Sequence, residues 1–372
     1  MKEDALVKAL AAVAWERGAH LSVEELELDD PRDDEVLVRI AACGVCHTDV
    51  KARDGYGSVV FPIVLGHEGA GTVLEVGRAV RDLAPGDRVL LVSDYCGRCA
   101  RCRAGRTAYC EEGPLRTFGA VRPDGSTRAR IGGEAVRASF FGQSAFSTYA
   151  LASERNALKV SDDIPLHLFA ATTCGMVTGA GAVLQVLPVG PGRSLAVLGT
   201  GTVGLAAIMA ARAVGAGTIV AVDQRPTRLE HARALGATHA VDTGTTPELA
   251  HTLREITDGG CDAILDTTGS GELQLAAVQG LAVLGQLGIA GGGGEPGVPL
   301  GSLMVGGKSV RGIIQGDSSG TLGLQRLLRL HRAGRFPFER LVRHYPFEEV
   351  NQAIEDSLSG ETVKPVLLFS GD

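Results

Sequence analysis

Residues 194–223 read SLAVLGTGTVGLAAIMAARAVGAGTIVAVD, and this stretch decides the fold. Ser194-Leu-Ala-Val-Leu198 is a short unbroken apolar run, the mark of a strand covered on both faces. Gly199, Gly201 and Gly204 follow it directly, and the small-residue stretch from Val203 to Val214 has the length of a helix. Thr218-Ile-Val-Ala-Val222 is a second strand, and residues 228–235 a second helix. Further strands fall at Ala263-Ile-Leu-Asp266 and Gly285-Gln-Leu-Gly-Ile289. Strands alternating with helices make βαβ units and a parallel sheet, so this part is a doubly wound α/β domain.

A bare G-x-G-x-x-G arises often by chance; here it sits between a strand and a helix, where it has a physical use. The helix opening at Thr202 and Val203 directs free N–H groups and a positive dipole end at an anion, which suits a dinucleotide pyrophosphate. Asp223 ends the next strand, nineteen residues after Gly204, where an acid grips the ribose hydroxyls of adenosine. A carboxylate there repels the additional phosphate of NADP. Arg225 pulls the other way, but the acid is given more weight and NAD is the expected cofactor.

Working outward, the first third of the chain is built differently. Glu35-Val-Leu-Val-Arg-Ile40 and Gly71-Thr-Val-Leu-Glu-Val76 alternate, and Pro85-Gly-Asp turns into Arg88-Val-Leu-Leu-Val92. These are short strands of a compact β-rich domain. The texture changes near residue 176, and from Gly334 a helix over 347–358 and a strand over 364–369 are expected to return to the first domain. At 372 residues and 45% hydrophobic, the chain suits two cores. A net charge of −7 without a long basic run gives no support for nucleic-acid binding. The sequence has no apolar run of membrane-spanning length, and MKEDALVKAL has no signal-peptide character, so the cytosol is the expected location.

Eight cysteines in a cytosolic chain are thiols or metal ligands. Cys96, Cys99, Cys102 and Cys110 lie within fifteen positions, the pattern of a closed four-sulfur zinc knot that holds a loop. Redox thiols or an iron–sulfur cluster are the competing readings. A second zinc, with three protein ligands and one open position, draws on separated fragments: Cys46 in GVCHTD, His67 in GHE and Cys174 in TCG. Asp49, three residues after Cys46, is the expected carboxylate behind His67. Glu68 either stands behind the metal or caps a turn.

Together these residues resemble the zinc-containing medium-chain alcohol dehydrogenases over nearly the whole chain. The likeness rests on CGVCHTD (43–49), GHEGAGTVLEVG (66–77), the four-cysteine loop, CGMVTGAGAVLQV (174–186), GTGTVG (199–204), Asp223 and KPVLLF (364–369). FFGQSAFSTYA (140–150) and the long segment 111–141 are similar to aryl- and allylic-alcohol dehydrogenases. The resemblance implies a GroES-like catalytic domain over 1–175 and 314–372, a Rossmann domain over 176–313, an active site in the cleft, and a homodimer. It implies a primary alcohol as small-molecule substrate, oxidised by hydride transfer to NAD with two zincs per chain, Cys46, His67 and Cys174 holding the catalytic one. Thr48 then accepts the hydroxyl proton. His47 and Lys364 fall where basic groups meet the cofactor pyrophosphate, and Thr178 and Arg228 complete the expected cofactor contacts. Lys51 stands where some relatives end the proton relay with a histidine; water or His47 is the alternative. Thr172-Thr173 replaces a usual Leu-Gly before Cys174, which bears on pocket width and polarity. The competing functions are a glutathione-dependent formaldehyde dehydrogenase and a non-catalytic protein keeping only the structural zinc.

Overall fold

The computed structural model describes residues 7–292, 298, 300–317 and 319–370. The N-terminal residues 1–6, read above for export signals, lie outside that range. The chain divides into two compact units, 1–174 with 341–372, and 175–340.

The second unit is a six-stranded parallel sheet. Its strands are β1 (Ser194–Leu198), β2 (Thr218–Asp223), β3 (His239–Asp242), β4 (Cys261–Asp266), β5 (Leu281–Ile289) and β6 (Ser309–Gly312). They lie in the order β3-β2-β1-β4-β5-β6. The chain reverses its direction of winding between β1 and β4, the switch point outside which dinucleotides bind in such sheets. Every residue of β1 is buried, as its unbroken apolar run requires. The helix Thr202–Ala213 packs tightly because Gly204 has no side chain: a Cβ there would lie 1.9 Å from the Gly199 carbonyl oxygen. Leu205, Ile208 and Met209 on this helix are fully buried, each worth roughly 1.5–3 kcal/mol.

The expected boundary at 313/314 is corrected by the structure: the second unit runs on to Arg340. After β6 the chain turns through Gln315–Asp317, where Gly316 lies against Gly181 and accepts a bond from Gln185 Nε2 at 2.9 Å. The helix Gly320–Arg332 then buries Leu324 and Leu327 in the same unit. Its apolar face has to be covered where the chain emerges, so the return to the first unit waits until Leu341.

The first unit holds two sheets. The larger orders Ala157–Val160, Arg88–Leu91, Gly69–Val76, Glu35–Gly44, Lys364–Leu368 and Val342–Pro346, with Tyr149–Ser153 also paired to Glu35–Gly44. The expected return of the C-terminal strand is seen here: Leu367 pairs antiparallel with Cys43, and Val366 with Gly44. The smaller sheet contains Ile63–Val64, Val7–Ala14, Ser22–Leu28, Ala129–Ile131 and Glu134–Val136. Part of the segment 111–141, the strands Ala129–Ile131 and Glu134–Val136, thus extends this second sheet. Among the described residues no single helix is long and apolar enough to cross a membrane.

Candidate active site

Three turns of the first unit bring Cys46, His67 and Cys174 together. Cys46 ends the approach of strand Glu35–Gly44 and caps the helix His47–Arg53. His67 follows Gly66, whose φ of +88° and lack of a side chain let the backbone pass Phe146, where a Cβ would lie 2.3 Å from the amide nitrogen. Cys174 closes the turns after the helix Leu166–Phe169. The ligand atoms of Cys46, His67, Glu68 and Cys174 lie within 4.8 Å of one another.

Asp49 determines how His67 is presented. Its Oδ1 accepts the Gly66 N–H at 3.0 Å and faces His67 Nδ1 at 2.8 Å, and its Oδ2 accepts the Cys46 N–H at 3.0 Å. An ionised carboxylate only accepts, so Nδ1 carries the proton and Nε2 presents a lone pair. Nε2 is buried and has no hydrogen-bond partner. A buried imidazole nitrogen without a hydrogen-bond partner, beside two thiols, fits a zinc ion. Without a metal, burial disfavours the His67 cation, but Asp49 and Cys46 outweigh burial and hold its pKa well above the usual value. A hydrogen bond between the two thiols pulls Cys46 well down and pushes Cys174 well up. Metal loading therefore expels protons from this shell and is favoured as pH rises.

Glu68 stands behind the shell, fully buried and ion-paired with Lys364. Desolvation raises its carboxyl to about 7 against the pull of the Lys364 charge. Lys364 is 1% exposed, and its Nζ also donates to the Val45 carbonyl at 3.2 Å. Burial opposes its charge, but Glu68 and Cys46 outweigh burial and raise its pKa. Its ammonium is thus engaged by Glu68 and the Val45 carbonyl inside the first unit. His47 is exposed at the start of its helix, and Thr48 beside it is half-buried. Lys51 lies over the Tyr56 ring, with Nζ 5.7 Å from the centroid. Thr172 and Thr173 turn their hydroxyls back onto the carbonyls of Phe169 and Ala170, at 2.6 and 3.4 Å. These two threonines therefore spend their polarity on the backbone.

Aromatic rings close one side of His67. Phe141 lies 4.6 Å from the imidazole centroid and tilts by 32°, and Phe140 meets it edge-on at 5.7 Å. Phe118 packs edge-to-face on Phe141 at 5.4 Å and on Phe140 at 5.9 Å, and Tyr56 packs on Phe118. Phe141 takes φ 53°, ψ 26°, a left-handed conformation that costs a residue of this size about 1–3 kcal/mol. Its surroundings must fix it there. Gln143, fully buried, braces the same loop by donating to the His67 carbonyl at 3.0 Å and accepting the Gly69 N–H at 2.9 Å. Sequence reasoning missed Gln143 and Phe141 as site residues, because both act through tertiary contacts that no local spacing encodes.

The four-cysteine loop makes its own shell. The sulfurs of Cys96, Cys99, Cys102 and Cys110 lie within 4.8 Å of one another, and Cys96 and Cys102 are 3.8 Å apart. Four sulfurs about 2.3 Å from one zinc stand about 3.8 Å apart at tetrahedral corners, so the set fits. Backbone amides support the thiolates: Cys99 N–H and Arg98 N–H point at Cys96 Sγ, and Cys102 N–H at Cys99 Sγ. Amide hydrogen bonds, led by that of Glu111, bring Cys99 down to about 6, whereas burial raises Cys102 to about 12.

In the second unit Gly199 takes φ +86°, and Gly201 is open: the nearest atom to a Cβ there is Arg228 Nη1 at 4.0 Å. A bare backbone above a helix N-terminus is the space a pyrophosphate needs. Asp223 accepts from Thr200 N–H and Oγ1 through Oδ2, and from the Gln224 and Arg225 amides through Oδ1. Arg228 Nε is buried without a hydrogen-bond partner. Thr202 and Val203 form the first turn of the helix, and Thr178 is buried on the helix Gly175–Gly181. These residues fit a nicotinamide dinucleotide.

A shell of two thiols and an imidazole, in a chain that also carries a dinucleotide fold, defines a zinc-dependent dehydrogenase. Family comparison agrees: residues 32–162 match the Alcohol dehydrogenase GroES-like domain, and residues 202–329 the Zinc-binding dehydrogenase family. Geraniol dehydrogenase of Castellaniella defragrans is 44% identical, with 98% of both chains covered. Among solved structures, an alcohol dehydrogenase zinc-binding domain protein from Burkholderia ambifaria superposes with a TM-score of 0.95 at 46% identity, covering 98% of this chain and all of that one. Benzyl alcohol dehydrogenase from Acinetobacter calcoaceticus does so at 0.94 and 40%, with the same coverage. The chain belongs to the zinc-containing alcohol dehydrogenase family and is an alcohol oxidoreductase.

Proposed function

We propose that the enzyme interconverts a primary aromatic or allylic alcohol and its aldehyde, with NAD as hydride carrier and two zincs per chain. The observation that carries the reading is the aromatic cluster in which Phe140 and Phe141 pack on the catalytic imidazole and Phe118 packs on them. A flat or unsaturated carbon chain gains contact area there, with ring geometry that favours edge-to-face packing. The names of the geraniol and benzyl alcohol dehydrogenases support the same class.

Cys46, His67 and Cys174 would hold the catalytic zinc, and Cys96, Cys99, Cys102 and Cys110 the structural one. Zinc supplies Lewis acidity that lowers the hydroxyl pKa of an alcohol, and NAD supplies the hydride acceptor. The chain's residues do the rest. Asp49 fixes the tautomer and plane of His67. Thr48 accepts the substrate hydroxyl proton and passes it onward, and exposed His47 or Lys51 hands it to water. The phenylalanine face orients the carbon skeleton and excludes water. Glu68 and Lys364 place a neutral pair, in sum, behind the shell. Gly199, Gly201 and Gly204 receive the pyrophosphate with the helix amides of Thr202 and Val203. Asp223 and Arg228 flank the adenosine ribose, and Thr178 completes the cofactor contacts. Asp223 supports NAD over NADP.

A homodimer is part of the same proposal. The edge strand β6 and the exposed apolar residues Val283, Leu284, Leu300, Met304 and Val305 support it, since such edges and patches are ordinarily covered. Cysteines spent as thiols or metal ligands rather than disulfides support a cytosolic location.

The test is NAD reduction with benzyl alcohol, cinnamyl alcohol, geraniol and ethanol, with C46S as the inactive control. Higher kcat/KM for the first three over ethanol is expected. Preference for the glutathione adduct of formaldehyde would replace the reading with that of the S-(hydroxymethyl)glutathione dehydrogenases, relatives at 33–34% identity.

A further inference from the structure

The four-cysteine loop and the aromatic face are joined by a chain of ion pairs. Arg98, between Cys96 and Cys99, donates from Nε and Nη2 to Glu112 Oε1 at 3.0 and 2.8 Å. Arg116 donates from Nε and Nη2 to Glu112 Oε2 at 3.1 and 2.9 Å, and from Nη1 to Asp94 Oδ2 at 2.7 Å. Arg155 holds the far side of Asp94, with Nε 2.9 Å from Oδ1. Arg116 and Asp94 are 5% and 7% exposed. A buried pair of this kind adds little net stability, because desolvation offsets its attraction. Its planar, multidentate geometry does fix position.

The Asp94 end of the Arg116–Asp94 bond leads to Phe141, which packs on His67, and the Arg116 end to Phe118, which packs on Phe141. The Asp94 N–H donates to the Phe141 carbonyl at 3.1 Å, and Asp94 fills the space beside Gly142, where a Cβ would lie 2.4 Å from its own. These contacts are part of what fixes Phe141 in its left-handed conformation. Arg116 lies two residues before Phe118, at the end of the helix Gly113–Thr117. The two rings meet at 5.4 Å.

We infer that Arg116 is a positioning residue for alcohol selectivity: by clamping Asp94 it holds Phe118 against Phe141 and so fixes the aromatic wall beside His67. The inference rests on the aromatic or allylic reading of the substrate. Arg116 touches neither metal shell nor substrate; it acts through the two rings. A flat alcohol, which would pack on that wall, depends on the clamp, and ethanol does not.

The experiment compares full-length, zinc-loaded parent, R116M, R116K and D94N. For R116M, the ratio of kcat/KM for benzyl alcohol over ethanol is expected to fall about 10-fold, the scale on which an apolar pocket discriminates. The fall should lie in KM for benzyl alcohol, with ethanol turnover within about 2-fold of the parent and zinc content unchanged. R116K, which keeps charge but loses the planar fork, should recover only part of the ratio. D94N nearly preserves shape and should match R116M; it carries the test if R116M does not fold. Calorimetric binding of benzamide against propanamide, with NADH present, should show the same selective loss without turnover. An unchanged ratio at full zinc content overturns the inference, and so does a proportional loss for both alcohols. Loss of zinc with a preserved ratio overturns it too, assigning Arg116 to the loop alone. If the parent itself does not prefer benzyl alcohol, the substrate reading fails, and the amide pair still decides whether Arg116 fixes the wall.

Discussion

The two metal shells of the first unit are built on opposite plans. Cys96, Cys99, Cys102 and Cys110 come from one loop, and their sulfurs are supported by that loop's own amides. Cys46, His67 and Cys174 come from three distant turns, and need Asp49, Gln143 and the Glu68–Lys364 pair to hold them. A self-supporting shell can be closed on all sides, which suits a structural metal. A shell assembled from outside can leave one side free, which is what chemistry at the metal requires. The difference teaches that the catalytic site takes its precision from neighbours, and the structural site from spacing.

Substitutions in each shell can break that comparison. The largest effect is expected for C46S: kcat for any alcohol falls about 1,000-fold or more, about 4 kcal/mol of barrier, with the thermal midpoint nearly unchanged. Surviving turnover would show that Cys46 is no ligand. C99A should do the reverse, lowering the midpoint by about 10 °C with release of one zinc while ethanol turnover persists below it. Equal damage from both would erase the distinction between the shells. D49N should leave the midpoint in place and weaken zinc binding at the catalytic shell about 10–100-fold, read by chelator competition. Equal loss at both shells would refute a role confined to His67. The smallest effect is expected in the other unit, where D223G should shift the NAD-to-NADP ratio of kcat/KM about 10-fold towards NADP; an unchanged ratio would count against the ribose role of Asp223.

How much of this was legible in the sequence follows the same division. The four-cysteine loop could be read from spacing, and β1, the glycine turn and β2 from an apolar run broken by glycines. Asp49 could be found because it lies one helical turn beyond Cys46. Phe141, Gln143 and the Arg116–Asp94 bond were hidden, since their partners are separated in sequence and no periodicity links them. The strands Val7–Ala14 and Ser22–Leu28 were passed over because VKALAAVA does not alternate and SVEELEL is mostly polar. The boundary at 314 failed for another reason. A loop and helix following the last strand of a sheet give no sign in sequence of which core they will cover.

The strand Lys364–Leu368 lies against Glu35–Gly44 and delivers Lys364 to Glu68 behind the catalytic shell. During synthesis the segment 175–340 emerges from the ribosome after the first 174 residues and before this strand. The nascent first unit therefore waits, with the edge of its main sheet unpaired and Glu68 facing no cation, while the second unit is translated. Removing the last strand would leave the ligands encoded but their support missing, a truncation that a map of ligand residues alone would score as harmless.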